Sequence, residues 1–204
     1  MTRLSRMACT VIAAALSARG GAILYNNIGA TASGNDSISS FGPLYDSFST
    51  GVNFGPISLV ELLVGATSPT DGDLITVGLY ADNSTSPGSL LASLGTISDS
   101  GLTSAPAVIT LSLTSNPVLA SGTRYWIGLS SVGSGIWQFS ADTSGTGVSG
   151  QFFANANGVF PNTESPYQME VALGSAVPEP SMFAPMVAGL SILLAFAVRR
   201  KLSV

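Results

Sequence analysis

The stretch Leu74–Asp82, LITVGLYAD, decides the fold class of this chain. Apolar side chains at Ile75, Val77 and Leu79 alternate with other residues, and a period of two places all three on one face of a β-strand. The same alternation recurs in TRYWIGLS (123–130) and in MEVAL (169–173). These three segments therefore predict strands, each with one apolar face turned toward a core.

Short segments of similar character occur throughout residues 23–174, separated by breaks rich in Gly, Ser, Thr and Asn. No segment in this region has the long helical period that a buried helix needs. About ten short strands at this spacing predict an all-β fold, an antiparallel β-sandwich of jelly-roll type. The further candidate strands are Ile23–Asn26, Asp46–Val52, Ile57–Val64, Leu90–Ile97, Val108–Leu113, Gly135–Ser140 and Gln151–Ala154.

Charge is distributed unevenly along the 204 residues. Residues 23–176 hold one basic residue, Arg124, against ten acidic residues, a net charge of −9. Such a region repels phosphate backbones, which argues against a nucleic-acid partner. The chain has no histidine, and its one cysteine, Cys9, lies near the start. We therefore expect residues 23–176 to form no disulfide and no metal site with thiolate or imidazole ligands.

The first 22 residues have the order of a secretory signal peptide. Arg3 and Arg6 precede an apolar stretch over Met7–Leu16, and small residues follow it, where a signal peptidase would cut. Ten residues are too few to span a bilayer, which needs about 20. A buried N-terminal helix is the alternative, but Arg19-Gly20-Gly21 opposes it.

The last 30 residues have the composition of a membrane anchor. Ser181–Val198 contains no charged residue and is long enough, as a helix, to cross a hydrocarbon core. Arg199, Arg200 and Lys201 follow it directly, and such a cluster stays on the cytoplasmic side. We therefore expect a single C-terminal transmembrane helix with the body outside the inner membrane.

Val177-Pro178-Glu179-Pro180 followed by an apolar segment and a basic tail resembles the PEP-CTERM sorting signal of Gram-negative bacteria. In that family the tail is taken to be recognised by exosortase, a membrane protease or transpeptidase, in strains that make extracellular polysaccharide. The resemblance implies a sorting motif at Val177, Pro178, Glu179 and Pro180 and a basic stop at Arg199, Arg200 and Lys201. An ordinary uncleaved anchor is the alternative.

The body itself resembles the choice-of-anchor R domain, an extracellular bacterial β-domain family. The segments that carry the resemblance are SFGPLYDSFSTG, GDLITVGLYADNSTSPGSLLASLGTISDSGL, ASGTRYWIGLSS, ADTSGTGVSGQFF and SPYQMEV, in this order. This resemblance covers roughly residues 24–173 and implies a location and an architecture, not a reaction. The resulting organisation is a signal peptide at 1–22, a β-sandwich at 23–174 and a sorting signal at 175–204.

Candidate sites in the body are few. The chain has no histidine, and Cys9 would be lost with the signal peptide, so carboxylates are the remaining candidates for catalysis. A glycosidase would need two carboxylates facing one cleft. Asp71-Gly72-Asp73 with Asp82-Asn83 could offer oxygen ligands to Ca²⁺, but solvated turns flanking a strand are the favoured interpretation. We therefore predict no catalytic, cofactor or metal site.

Aromatic residues leave one binding function open. Trp126 and Trp137 are the candidate glycan contacts, because tryptophan rings stack on sugars in carbohydrate-binding sandwiches. Trp126 alternates with Tyr125 and Ile127, so it should look outward or pack in a second layer.

Taken together, these features predict a non-enzymatic exported protein of the cell surface or extracellular matrix. Its expected partners are signal peptidase, exosortase, membrane lipid and exopolysaccharide. A carbohydrate-binding module acting on the cell's own exopolysaccharide is the alternative, and a secreted hydrolase is a third.

Overall fold

A computed structural model describes residues 21–68, 72–163 and 165–174. Within these ranges nearly all regular structure is antiparallel strand. The strands are β1 (Ile23–Asn26), β2 (Ala32–Ser37), β3 (Leu44–Ser49), β4 (Gly55–Ala66), β5 (Leu74–Asp82), β6 (Pro87–Ser98), β7 (Ala107–Thr110), β8 (Val118–Leu119), β9 (Arg124–Ser130), β10 (Gly135–Ser140), β11 (Phe152–Asn155), β12 (Gly158–Pro161) and β13 (Met169–Leu173). A single helical turn, α1 (Ile38–Phe41), and a 3-10 turn (Asp99–Gly101) complete the described elements.

The strands form two sheets. The first has the order β1-β13-β4-β10-β2, with β7 and β8 also paired to β4, and the second has the order β12-β11-β3-β9-β5-β6. Apolar side chains of both sheets join one core, in which Ile57 and Leu62 of the first sheet and Leu44, Phe48 and Ile127 of the second are buried. The prediction of an all-β antiparallel sandwich is confirmed at this level, and jelly-roll connectivity stays a prediction.

Alternation in the sequence places several strands well. The bounds of β1, β5, β10 and β13 agree residue for residue with the segments expected from period-two patterns. In β5 the inward residues Ile75, Val77 and Leu79 are buried, as LITVGLYAD predicts. Burying side chains of this size stabilises a fold by about 1.5 to 3 kcal/mol each, which explains why the pattern is so informative.

Strand β9 departs from simple alternation because both of its faces are covered. It lies between β3 and β5, with Phe48 paired to Tyr125 and Leu79 paired to Ile127. Five consecutive residues, Tyr125–Leu129, are buried. A central strand of this kind carries no clear inside and outside pattern.

Both ends of the body leave the fold at the same place. Strands β1 and β13 are antiparallel neighbours with Ile23 paired to Ala172, and the Leu173 N–H donates to the Ala22 carbonyl at 2.9 Å. The Gly174 N–H donates to the Pro56 carbonyl at 2.8 Å, beside the start of β4. We call this the exit end: it comprises the loop 50–55, the segment 114–123, and the points where residues 22 and 174 lie.

The opposite end of the sandwich is formed where β4 finishes. The Thr67 N–H donates to the Ser134 carbonyl, and the Asp99 N–H donates to the Asp73 carbonyl. We call this the distal end: it comprises residues 67–68, 72–73, 99–103 and 131–134. Strand β4 connects the two ends with 12 residues, about 35 Å at roughly 3.3 Å per residue.

The predicted sorting motif, membrane segment 181–198 and basic tail 199–201 lie outside the described residues, as does most of the predicted signal peptide. Among the residues that are described, no helix is long and apolar enough to cross a membrane.

Candidate functional site

The two tryptophans predicted to contact a glycan are both inside the protein. Trp126 and Trp137 have no exposed surface. The Trp126 indole N–H donates to Asp82 Oδ1 at 2.9 Å. A sugar must reach a ring face to stack on it, and both rings are buried. The prediction that Trp126 and Trp137 contact a glycan is therefore wrong for this structure.

Trp137 is part of the core rather than of a binding surface. Its ring stacks on Tyr167 with centroids 4.6 Å apart, and its indole N–H donates to the Gln168 carbonyl at 3.0 Å. A buried, hydrogen-bonded and stacked indole of this kind stabilises the interior. Trp137 therefore holds β10 to the segment that leads into β13.

A buried polar cluster lies between the sheets around Asp46. This side chain on β3 has no exposed surface, although it shares a face with Leu44 and Phe48. Asp46 Oδ1 accepts a hydrogen bond from Asn162 Nδ2 at 2.8 Å, and Oδ2 accepts one from the Tyr25 hydroxyl at 3.4 Å. The cluster links β1, β3 and the segment after β12.

Burial sets the protonation of this cluster. Desolvation raises the pKa of Asp46 well above its ordinary value, and hydrogen bonds from Asn162 and from the Tyr167 backbone offset only part of this rise. Desolvation and the nearby Asp46 also raise the pKa of Tyr25. The carboxyl group is sealed from solvent, so it acts on stability and has no route to a substrate.

A cavity of about 300 Å³ opens on the outer face of the second sheet. The side chain of Tyr45 alternates with the buried Leu44 and Asp46, so it points to this face. The residues that matter for a ligand are Pro43, Tyr45, Pro87, Ala154, Asn155 and Val159. Because Pro87 belongs to β6 and Ala154 to β11, with three strands between them in the sheet order, the cavity spans much of this face.

A glycine makes room for the aromatic wall of this cavity. The rings of Tyr45 and Tyr80 meet edge to face with centroids 5.1 Å apart, directly over Gly128. A Cβ atom at residue 128 would lie 2.5 Å from the Tyr45 ring and 2.6 Å from the Tyr80 ring. Desolvation, and then Tyr80, raise the pKa of Tyr45, so its hydroxyl stays protonated and can donate a hydrogen bond at neutral pH.

Two carboxylates face each other on the outer face of the first sheet. Glu61 on β4 is paired directly with Glu170 on β13. Glu170 accepts a hydrogen bond from the Asn26 amide, and Glu61 accepts one from the Thr110 hydroxyl at 2.8 Å. Desolvation and then Glu61 raise the pKa of Glu170. Neither of the two cavities we describe is lined by these residues.

The acidic turns near β5 do not converge. Asp73 precedes β5 and Asp82 ends it, so nine residue steps along the strand separate them, about 30 Å. They cannot share one cation, and Asp71 lies outside the described residues. Within residues 21–68, 72–163 and 165–174, no group of three or more His, Cys, Asp or Glu side chains could hold a metal ion.

A second cavity, of about 290 Å³, lies where the loop after β1 meets the segment 144–145. The buried amide group of Gln168 donates to the carbonyl groups of Asn27, Ile28 and Ala30, at 3.0 to 3.2 Å. One side chain thus fixes the shape of the loop that forms the cavity wall.

Sequence reasoning did not find Tyr45, Tyr80 or the buried Asp46. A signal for Asp46 is present in LYDSFS (44–49), where period-two alternation places it on the same face as Leu44 and Phe48. No comparable signal exists for Tyr45 and Tyr80, which meet only because β9 brings their strands together.

The fold and these sites define an all-β sandwich with an aromatic cavity on one outer face and both chain exits at one end. No family model matches the chain, and neither a curated protein nor a solved structure shows significant similarity to it. The resemblances to the PEP-CTERM signal and to the choice-of-anchor R domain therefore stay predictions.

Proposed function

We propose that this chain is a non-enzymatic protein that is exported and displayed at the cell surface or in the extracellular matrix. In this proposal residues 1–22 direct export, and residues 175–204 form a PEP-CTERM tail. The tail holds the protein in the inner membrane until an exosortase processes it. The mature product is then associated with exopolysaccharide.

The observation that supports this proposal is the position of the two exits. Because β1 and β13 are antiparallel neighbours, residues 22 and 174 lie side by side at one end of the sandwich. Both addressing segments attach outside the folded core, so either can be cut without removing a core strand. The rest of the sandwich is then free to face away from the membrane.

Two tags test the proposal, one placed after Val204 and one inserted beside Val132, the exposed residue of the loop 131–134. In a host with an exosortase, we expect the loop tag to leave the membrane fraction and the C-terminal tag to be separated from it. Replacing Pro178, Glu179 and Pro180 by alanine should keep both tags together in the membrane. If the unaltered chain also keeps both tags in the membrane, the tail is a plain anchor and the sorting proposal is wrong.

The Tyr45 cavity favours a second candidate function, a carbohydrate-binding module. A cavity of about 300 Å³ with a tyrosine ring, two prolines and the Asn155 amide offers both apolar surface and hydrogen-bonding groups, which suits a sugar ring. We propose that the cavity takes one or two sugar units of the cell's own exopolysaccharide.

Binding of the full chain to the host polysaccharide and to a glycan array tests this second function. Tyr45→Ala should abolish binding, whereas Phe54→Ala removes an exposed ring outside the cavity and should leave binding unchanged. Equal affinities of the two variants would contradict a site at Tyr45.

A further inference from the structure

The exit end carries the most exposed cluster of apolar side chains in the described structure. Val52 is 91% exposed, Val118 is 74% exposed and Phe54 is 67% exposed. Single exposed apolar residues are common on soluble proteins, but three gathered at one end of a sandwich mark a candidate contact surface.

Hydrogen bonds connect this patch to the point where the chain leaves the fold. Val118 pairs with Pro56, whose carbonyl accepts the Gly174 N–H. The loop with Val52 and Phe54 is tied to the same place, because the Thr50 hydroxyl donates to the Ala120 carbonyl at 2.8 Å. The patch and the chain exit therefore lie side by side at one end of the sandwich.

The chain segments around this patch carry few charged side chains. Residues 47–60 and 107–123 contain no charged side chain, although the body as a whole carries ten acidic residues. The body's one basic residue, Arg124, begins β9 immediately after this region. Asp82 ends β5 nearby, but its Oδ1 atom accepts the Trp126 indole N–H. Few charged side chains therefore oppose the approach of a lipid surface to this patch.

The length of the tail limits how far this surface can be from a membrane. Seven Cα–Cα steps separate Gly174 from Ser181, where the expected membrane segment begins. Even fully extended, they reach at most about 25 Å. If 181–198 spans the bilayer, the exit end is the part of the body that the tail holds against the lipid.

We propose that Val52, Phe54 and Val118 insert into the headgroup region of the lipid bilayer and hold the sandwich upright on the membrane before any processing. This inference rests on the proposed membrane anchor at residues 181–198, and it adds a second contact between the protein and the lipid. Apolar side chains of this kind bury several ångströms into the interface, at the boundary between headgroups and acyl chains. The distal end then points away from the membrane.

Quenching by brominated lipid tests the proposal on the full chain reconstituted in phosphatidylcholine vesicles. Val52→Trp and Phe54→Trp place reporters in the patch. Val132→Trp is the matched control, because Val132 is 89% exposed at the distal end. The native Trp126 and Trp137 are fully buried and give a constant background.

We expect lipids brominated near the headgroup end of the acyl chain to quench residues 52 and 54 several-fold more than residue 132. Equal quenching at residues 52 and 132 overturns the proposal. So does a blue-shifted but unquenched signal at residue 52, which would mean that a second copy of the chain covers the patch. An unchanged near-ultraviolet circular dichroism spectrum verifies that each variant folds.

Vesicle flotation separates this inference from the proposed function. A chain that does not float has no membrane-spanning tail, and both proposals are then wrong. A chain that floats but shows no quenching at residues 52 and 54 keeps its anchor, and only the lipid contact is wrong.

Discussion

The exit end and the distal end of the sandwich differ in their chain connections and in the character of their loops. The exit-end loops 50–55 and 114–123 are uncharged, and both chain exits lie beside them. The distal end has no chain exit among the described residues, and it carries the half-buried Asp73, the buried Asp99 and the exposed Val132. Strand β4, which runs from one end to the other, belongs to both.

Pairing of the first and last strands makes the two ends of the sandwich different. Antiparallel strands alone would not do so, since successive long strands run in opposite directions between the two ends. Once β1 and β13 are neighbours, one end receives both linkers and the other receives only loops. The loops beside the exits, 50–55 and 114–123, contain no charged side chain.

Removing the Tyr25 side chain should break this arrangement most strongly. Tyr25 lies on β1 with no exposed surface, and its hydroxyl donates to Asp46. We expect Tyr25→Ala to lower the free energy of unfolding by about 3 to 5 kcal/mol and to detach β1 from β13. Tyr25→Phe keeps the ring and should cost only about 1 to 2 kcal/mol. Chemical denaturation measures both, and equal losses would mean that the ring does not hold β1.

Raising the pH should weaken the strands at the Asp46 cluster selectively. Burial raises the folded-state pKa of Asp46, so its stabilising contribution is full below the ordinary value of 3.8 and is lost as the pH rises through the folded pKa. Unfolding free energies measured from pH 4 upward should therefore fall in the native chain. Hydrogen exchange should show β1 and β3 opening before β5 and β6.

Asp46→Asn is the control for this pH dependence. It removes the ionisable group and should flatten the profile, apart from a contribution of the same sign from Glu170, whose pKa is also raised. A profile that is as steep in Asp46→Asn as in the native chain would contradict the assignment.

Thr50 and Thr67 allow the two ends to be compared by the stability that single hydrogen bonds contribute. Thr50 at the exit end is buried, donates to the Ala120 carbonyl and accepts the Thr123 N–H at 3.0 Å. Thr50→Val should cost about 1 to 2 kcal/mol, because two partners lose their bonds. Thr67 at the distal end is exposed with a hydroxyl contact of 3.4 Å, so Thr67→Val should cost less than about 0.5 kcal/mol. Denaturation midpoints that shift alike at both sites would show that the exit loops are not specially tied.

The smallest expected effect concerns the exposed valines. Val52→Ser and Val132→Ser each remove a methyl-bearing side chain that is almost wholly in solvent. Both should change the free energy of unfolding by less than about 0.5 kcal/mol. A loss above 1 kcal/mol at Val52 in detergent would mean that it packs within the fold rather than serving as surface.

Strands whose apolar residues alternate were predictable from the sequence, whereas β2 was not. LITVGLYAD and MEVAL place β5 and β13 correctly because their apolar residues repeat with a period of two. Strand β2, ASGNDS, has almost no apolar residue and exists because its backbone pairs with β10 from Ala32 to Ser37. Local preference carries no trace of such a long-range hydrogen-bonding partner.

The candidate sites show the same limit. Trp126 alternates with core residues, which predicts a ring that looks outward or packs in a second layer. The structure shows it fully buried, with its indole N–H bonded to Asp82. Tyr45 and Tyr80 come from strands separated by β9, and their meeting depends on the absence of a side chain at Gly128. The exit end could have been suspected only after β1 and β13 were known to be neighbours.

The position of β13 also determines how the protein would respond to mechanical pulling. A chain held by its tail receives load first at Leu173, where β13 is flanked by β1 on one side and β4 on the other. The ladder bonds lie across the strand, so tension along β13 strains them together in shear instead of opening them one after another. A sandwich tethered in this way would resist pulling forces, because many hydrogen bonds must break at once before β13 leaves the sheet.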